Sequence, residues 1–496
     1  MQRRSAHSPH RPEMRPPIGW AAALLGLVCA LFFLPALAAG LPDLGEASQA
    51  DLSAREEQLL GDRLMQDIRQ KDPAYLDDPP VADYLNQLGR RLTAQLDSSS
   101  RRHFVFFALN EPTINAFAMP GGYIGVHSGL LLEARSESEL AGVLAHEISH
   151  VTQHHIARGV GIQNQSYATM LGALALAILA GRHNADIAQG TLLAGQAGAI
   201  QQQLNYSREY EREADRLGIA LLERADFDIR GMERFFERLQ RQARLYESKD
   251  APAYLQTHPL TTERMADMNN RIQARPVHAS TDSLDFALVR ARLTAQWASL
   301  PDAYAQFKDQ SRRNPDDLSA RYGFALTLLR DNREREAAIP IESLQKAQAN
   351  TPLLPLLFAQ WHQRKNNSAA AITQLRSAQV RFPQSRAVVY ALMDTLQAAD
   401  QAAAALDIAI QDGRTHPDDV RVWYSRAKSY AALGQRFQSH RAQGEAYALQ
   451  GLYPQAIEQF ELARRAPDGD FFEHSQADAR LRVLQQKQKD DRATLR

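Results

Sequence analysis

His146-Glu147-Ile148-Ser149-His150 sets two imidazoles four residues apart, with a carboxylate beside the first. On a helix, residues four apart share a face, so both rings can reach one metal ion. Glu147 lies about 100° round the axis from His146, near enough to act on a metal-held water without entering the ligand set. Zinc with neutral ligands brings the pKa of such a water from ~15.7 to ~7, and a carboxylate that takes its proton makes it attack a carbonyl carbon. The chemistry is amide hydrolysis. The motif follows the apolar run Leu140-Ala141-Gly142-Val143-Leu144-Ala145. Three ionisable groups on such a helix are costly to bury without a cation to pair them.

Two imidazoles are too few, because a catalytic zinc takes three protein ligands and keeps one position open. Gln153 and Ile156 stand where the extended metzincin pattern needs Gly and His, which excludes that class. A straight helix carries His154 too far to share the ion, so His154 and His155 read as a solvated pair or as braces behind a ligand. The better third ligand lies in Ser207-Arg208-Glu209-Tyr210-Glu211-Arg212-Glu213-Ala214-Asp215. Glu211 and Asp215 are four apart, so one carboxylate can bind zinc while the other braces a ligating imidazole. Glu209 and Glu213 read as the solvated side of that helix. The chain has one cysteine, Cys29, so neither a thiolate site nor a disulfide framework can form.

These groups need elements to position them. Residues 52–68 and 81–96 have helical spacing, the second opened by Asp77-Asp78-Pro79-Pro80. Residues 103–109 read as a strand, and 114–119 and 123–126 as two strands joined by a tight turn at Pro120-Gly121-Gly122. One helix is expected from Ser136 to about Arg158, with Ser136 as N-cap and Glu139 as its capping-box partner. Residues 206–244 are helical with a break near 226–231. The strands before the metal helix offer an edge for an extended substrate held by main-chain hydrogen bonds, at Ala118, Met119, Gly121, Gly122 and Tyr123. A plain structural hairpin is the alternative.

Composition shifts after Arg275-Pro276-Val277-His278, placing a domain boundary near 280. Beyond it Pro315, Pro352, Pro383 and Pro417 fall 37, 31 and 34 residues apart, close to the tetratricopeptide period. Gly444, Tyr447, Ala456, Phe460 and Ala463 match that repeat's small and aromatic positions. Trp423, Ala427, Tyr430 and Gly434 give a second match only 17 residues away by register, so the array is irregular. The fold class is α+β: a mostly helical metallopeptidase domain with a small β-sheet over 41–278, then an all-α repeat solenoid over 283–486 and a polar tail, 487–496.

Hydrophobic residues make up 44% and charged residues 23%, which excludes wholesale disorder. Lys+Arg and Asp+Glu are both 57, so no basic footprint for nucleic acid exists. Arg3, Arg4, Arg11 and Arg15 precede an apolar stretch from 18 to 39 that ends in Pro35-Ala36-Leu37-Ala38, a leader pattern with cleavage expected after Ala38. Met14 is an alternative start, and an uncleaved anchor is the rival reading. Cys29 lacks the small preceding residue of a lipidation site, and its loss with the leader suits an oxidising, periplasmic compartment.

The HEISH motif with its downstream Glu-x-x-x-Asp helix resembles the gluzincin family of the CAAX prenyl endopeptidases and HtpX. Residues 115–124 (NAFAMPGGYI) and Thr257-His258-Pro259-Leu260 with Arg264 extend the resemblance. With the leader and the repeats, the chain is similar to periplasmic members of that family over nearly its whole mature length. The resemblance implies one Zn2+ per chain with His146, His150 and Glu211 as ligands, Glu147 as general base and Asp215 behind a ligand. It implies action on unfolded or misassembled outer-membrane proteins, with the repeats docking the barrel-assembly machinery or clients, and association with the outer membrane. It also implies that His258, otherwise a turn histidine before Pro259, occupies the fourth zinc position and keeps the enzyme latent. Arg264 is open between an oxyanion stabiliser and a structural ion pair. Residues 168–181 carry no charge but are too short for an easy span. They read as a core helix, a membrane-surface contact or, with 160–203, a plug over the metal; integral-membrane relatives favour the last two. The main alternative function is a non-catalytic chaperone or scaffold with a capped zinc site. A CAAX-type lipid-peptide protease is weakened by the lack of multiple spanning helices.

Overall fold

The structure, a computed structural model, describes residues 54–98, 102–160, 208–245, 252–276 and 278–494. The leader, Cys29, the stretch 168–181 and the remainder of 160–203 after Val160 lie outside the described residues. Helix α1 (Ala54–Lys71) precedes α2 (Pro79–Thr93), which Asp78 caps by accepting from the Val81 amide. Pro79 and Pro80 occupy its first turn, where no amide donor is needed.

Strands β1 (Val105–Leu109), β2 (Ala116–Met119) and β3 (Tyr123–His127) form a sheet of order β1-β3-β2. β1 and β3 run parallel with Val105 opposite Tyr123; β2 and β3 run antiparallel with Ala116 opposite Val126. Side chains alternate across it. Phe107, Leu109, Phe117 and Met119 pack on Leu64, Met65 and Ile68 of α1, while Phe106, Ala108, Ala116, Ala118, Ile124 and Val126 join the main core. Gly121 and Gly122, at φ 76° and 82°, take the left-handed conformations that close the turn between β2 and β3.

After α3 (Ser128–Glu133) comes α4 (Glu137–Thr152), buried over nearly its whole length. Ser136 caps it as expected, accepting from the Glu139 amide at 3.2 Å. Glu139 does not complete a capping box: its carboxylate accepts from the Arg135 amide at 2.8 Å and pairs with Arg238. The single helix expected to Arg158 is instead broken. His154 sits at φ 53°, and α5 (His155–Val160) starts in a new direction. α6 (Arg208–Arg224) and α7 (Arg230–Leu245) are separated at Asp226, φ 61°, where a break was expected. Glu211, Asp215, Gly218 and Leu222 line the inner face of α6. A Cβ on Gly218 would lie 3.3 Å from the His146 amide nitrogen, so glycine lets α6 press against the backbone of α4. The short α8 (Ala253–Thr257) and α9 (Thr262–Gln273) complete this region.

Helical hairpins follow. Helices α10 (Leu284–Trp297), α11 (Leu300–Arg313), α12 (Leu318–Arg330), α13 (Glu334–Ala347), α14 (Leu353–Arg364) and α15 (Ser368–Arg381) precede α16 (Arg386–Ala398) and α17 (Ala402–Asp412). Then come α18 (Val420–Ala432), α19 (Arg436–Leu449), α20 (Tyr453–Arg465) and α21 (Phe471–Thr494). The repeat-matching glycine works by contact: a Cβ on Gly444 of α19 would come 2.7 Å from the Phe460 ring of α20. The polar residues from 487 continue α21 through Thr494.

One buried apolar cluster runs from Leu76 to Trp361, so the core crosses the composition change near 280. Polar ties follow the same route. Arg292 pairs with Asp78 at 2.8 Å, and the Ser283 hydroxyl donates to Glu137 at 2.6 Å while the Glu137 amide donates to Asp282 at 2.7 Å. Farther along, the Ser385 hydroxyl donates to Asp83 at 2.8 Å and Arg421 pairs with Asp77 at 2.6 Å. The start of α4 and the start of α10 therefore cap one another.

Candidate metal centre

α4 and α6 lie side by side, and the loop after α8 closes over them. His146, His150, Glu211 and His258 converge there, all buried, each offering a donor atom within 4.8 Å of the others. The His146 and His150 Nε2 atoms are 3.0 Å apart, and His258 Nδ1 is 3.4 Å from His146 Nε2. Glu211 Oε1 is 3.3 Å from His150 Nε2 and 3.0 Å from His258 Nδ1, and its Oε2 is 3.5 Å from His146 Nε2. Donors held about 2.1 Å from one tetrahedral ion are about 3.4 Å from one another. Three imidazole nitrogens and a carboxylate at these separations therefore fit a divalent cation.

Behind the cage, His146 Nδ1 lies 3.0 Å from Asp215 Oδ1. Arg264, fully buried, donates through Nε and Nη2 to Asp215 at 2.7 and 2.8 Å, through Nη1 to the Pro259 carbonyl at 2.7 Å, and sits 2.8 Å from Glu211 Oε2. The structural ion pair expected as one of its two roles is present. Thr261 caps α9 by accepting from the Arg264 amide, which sets the side chain beneath the carboxylates.

Burial alone would depress the His146 imidazole, but Asp215 and Glu211 outweigh it and lift its pKa to about 9. His150 goes the other way: burial holds it well below the usual histidine range, against the pull of Glu211. Burial opposes ionisation of Glu211, yet the charge of His258 and the hydrogen bonds of all three imidazoles keep its carboxyl well below the ordinary range. Asp215 is likewise lowered despite burial, by His146 and Arg264. Burial raises Glu147, with His258 and His146 pulling it back. Without an ion, His146 therefore keeps its proton below about pH 9, whereas a cation needs that nitrogen bare. Cation binding at neutral pH must expel one proton, so affinity should climb about tenfold per pH unit up to about pH 9 and level off above it. Zinc titration in two buffers of different ionisation enthalpy counts that proton; zero release near pH 7.5 would contradict the assignment.

Glu147 lies against the cage rather than in it, with His258 Nε2 3.5 Å from its Oε1. Both its oxygens are buried, and the groups that face the carboxylate are His258 and Tyr254. Tyr254, one turn before His258, was not singled out in the sequence. It is fully buried, its ring stacks on His258 at 4.7 Å, and burial together with Glu147 raises its pKa well above normal. Its signal was its place one turn upstream of a chemistry-bearing histidine. Glu209 is exposed beside Arg212, as expected. Glu213 is not simply solvated: it pairs with His155 at 3.0 Å and Arg158 at 3.3 Å. His154 and His155 separate, the first beside Glu57 and Arg102, the second buried behind His150.

β2 packs against α4, and among the described residues no strand pairs with its outer side. Ala118 and Met119 lie on that strand, buried. The turn does not stand open: Pro120 lies under α1, where a Cβ on Gly61 would come 2.0 Å from its carbonyl, Gly121 packs against Gln58, and the Tyr123 hydroxyl donates to Asp62 at 2.8 Å.

Residues 79–272 match the model of peptidase family M48. The "Putative beta-barrel assembly-enhancing protease" of Vibrio cholerae is 33% identical over 470 residues, covering 93% of this chain and 96% of the relative. The "Beta-barrel assembly-enhancing protease" of Escherichia coli K12 is 34% identical, covering 90% of this chain and 92% of the relative. The "Mitochondrial metalloendopeptidase OMA1" of Arabidopsis thaliana is 30% identical over 44% of this chain and 39% of its own length. With the M48 region spanning α2 to α9 and relatives matched over 90% or more of both chains, the chain belongs to the beta-barrel assembly-enhancing proteases of peptidase family M48.

Proposed function

We propose that this protein is a periplasmic zinc endopeptidase that cleaves misfolded or stalled outer-membrane proteins and is held latent by His258. His146, His150 and Glu211 hold the ion, and His258 closes the cage at rest. Zinc bound there supplies a Lewis acid that activates water and polarises a peptide carbonyl. Glu147 takes up a proton on its carboxylate and returns it to the departing amine. Asp215 orients the His146 ring, and Arg264 holds Asp215 and Glu211 in place. An extended client adds to the outer side of β2 at Ala118 and Met119, while Gly121, Gly122 and Tyr123 fix the turn that aligns that strand. The names of the relatives support barrel-assembly substrates; the repeats dock clients or the assembly machinery, and contact of residues 168–181 with a membrane surface is part of the same proposal.

The carrying observation is Glu147. A closed cage of four protein donors is also the form of a structural zinc site, which favours the second reading of a scaffold with a permanently capped ion. A structural site has no use for an additional carboxylate, fully buried outside the donor set and 3.5 Å from a caging imidazole. Burying such a group costs free energy without structural return, and proton transfer accounts for it. Metal analysis tests the foundation. The purified chain should carry about one zinc and His146→Ala almost none; equal, negligible metal in both would overturn the reading.

A further inference from the structure

His155 has a part that neither the metal cage nor the general base requires. It is fully buried, its Nδ1 is 2.9 Å from His150 Nδ1, and its Nε2 is 3.0 Å from Glu213 Oε2. Its ring stacks flat on Tyr210, centroids 4.5 Å apart, and Arg158 lies over the same tyrosine and 3.3 Å from Glu213. On an unbroken helix a residue five positions beyond His150 would point about 140° away from it. The break at His154 turns α5 so that His155 comes back behind the ligand.

The hydrogen bonds among the described residues fit one arrangement of protons once His150 holds a cation. His150 faces the cage with Nε2, so that atom must present a lone pair and Nδ1 must carry the hydrogen. His150 Nδ1–H then donates to His155 Nδ1, which places the His155 hydrogen on Nε2, where it donates to Glu213. Both ring nitrogens of His155 and the Nδ1 of His150 are satisfied in this arrangement, and the His150 Nε2 lone pair faces the cage. We propose that His155 is a positioning residue that fixes the tautomer and ring plane of His150 and passes the charge of Glu213 to the metal centre through an imidazole–imidazole hydrogen bond. The two ligating histidines are then braced differently: His146 directly by the Asp215 carboxylate, His150 by a carboxylate acting through a second ring. This inference rests on the metal-centre reading above.

The test is zinc affinity of the full chain, measured by competition with a chromophoric chelator, with thermal melts in excess EDTA to compare folding of the metal-free proteins. His155→Ala should bind zinc about 10- to 100-fold more weakly, the loss that removing a bracing partner brings. His155→Gln should recover most of that affinity, because its amide oxygen can accept from His150 while its NH2 donates to Glu213. Glu213→Gln, a change at the half-exposed end of the chain, should give a smaller loss and covers the case in which His155→Ala melts early. Unchanged affinity in His155→Ala and Glu213→Gln overturns the proposal. So does a His155→Gln variant as weak as His155→Ala, since packing rather than the relay would then hold His150. His150→Ala, run alongside, must lose zinc; if it binds normally, the metal-centre reading fails rather than the relay.

Discussion

Glu147→Gln is expected to remove peptide-bond cleavage, lowering kcat/KM by about 10²–10⁴-fold, while the protein keeps its zinc. The amide is nearly the same size, so α4, buried on all sides, need not repack. It carries no charge and accepts no proton at neutral pH, so the proton shuttle is lost. Glu147 lies outside the set of four donors, so metal content should match wild type. The substitution also takes a buried carboxylate out of a site where burial opposes its ionisation. The melting temperature should therefore hold or rise. Digestion of an unfolded outer-membrane β-barrel protein, followed by gel alongside metal analysis, reads both expectations. Residual cleavage near the wild-type rate would exclude Glu147 as base, and equal inertness of both proteins on every client would favour the scaffold.

The second large effect runs the other way. His258→Ala should raise cleavage of the same substrate by about 10- to 100-fold, the gain expected when a resting state that leaves a competent form at about 1–10% is removed. His258 Nδ1 lies 3.4 Å from His146 Nε2 and 3.0 Å from Glu211 Oε1, where it completes the cage. Its other nitrogen faces Glu147, so one ring obstructs both the ion and the base. The ring is held there by α8, a single short turn anchored through the Tyr254 amide on the Ile114 carbonyl just before β2. The variant loses a donor and should hold zinc less tightly, so the assay needs free zinc in excess. Cleavage unchanged or reduced under those conditions would rule out latency through His258.

The α4 motif could be read from residues because a four-residue spacing is a property of one helix, and the same holds for Glu211 and Asp215 on α6. The three strands and the glycine turn were legible through alternation and φ preference. Three features were not. For His155 a solvated and a bracing role both stood open, and its place behind His150 was not legible because it depends on the left-handed backbone at His154, which an asparagine or glycine would have signalled but a histidine did not. Glu213 looked solvated because its partner, His155, lies 58 residues away in the chain. Arg264 stayed open between two roles, and its ion pair with Asp215 was not legible because the two come from different helices.

The order of donors along each helix and the proline-punctuated hairpins follow from the amino-acid order alone, since each depends on neighbours within a turn or two. What tertiary structure decided is which faces meet. Gly218 lets α6 approach the backbone of α4 closely enough for Glu211 to reach both imidazoles. Reciprocal capping between Glu137 and Asp282–Ser283 joins the catalytic helix to the first repeat, and one apolar core spans both. Such contacts come from burying complementary surfaces across long stretches of chain, and no local pattern of residues encodes their distance.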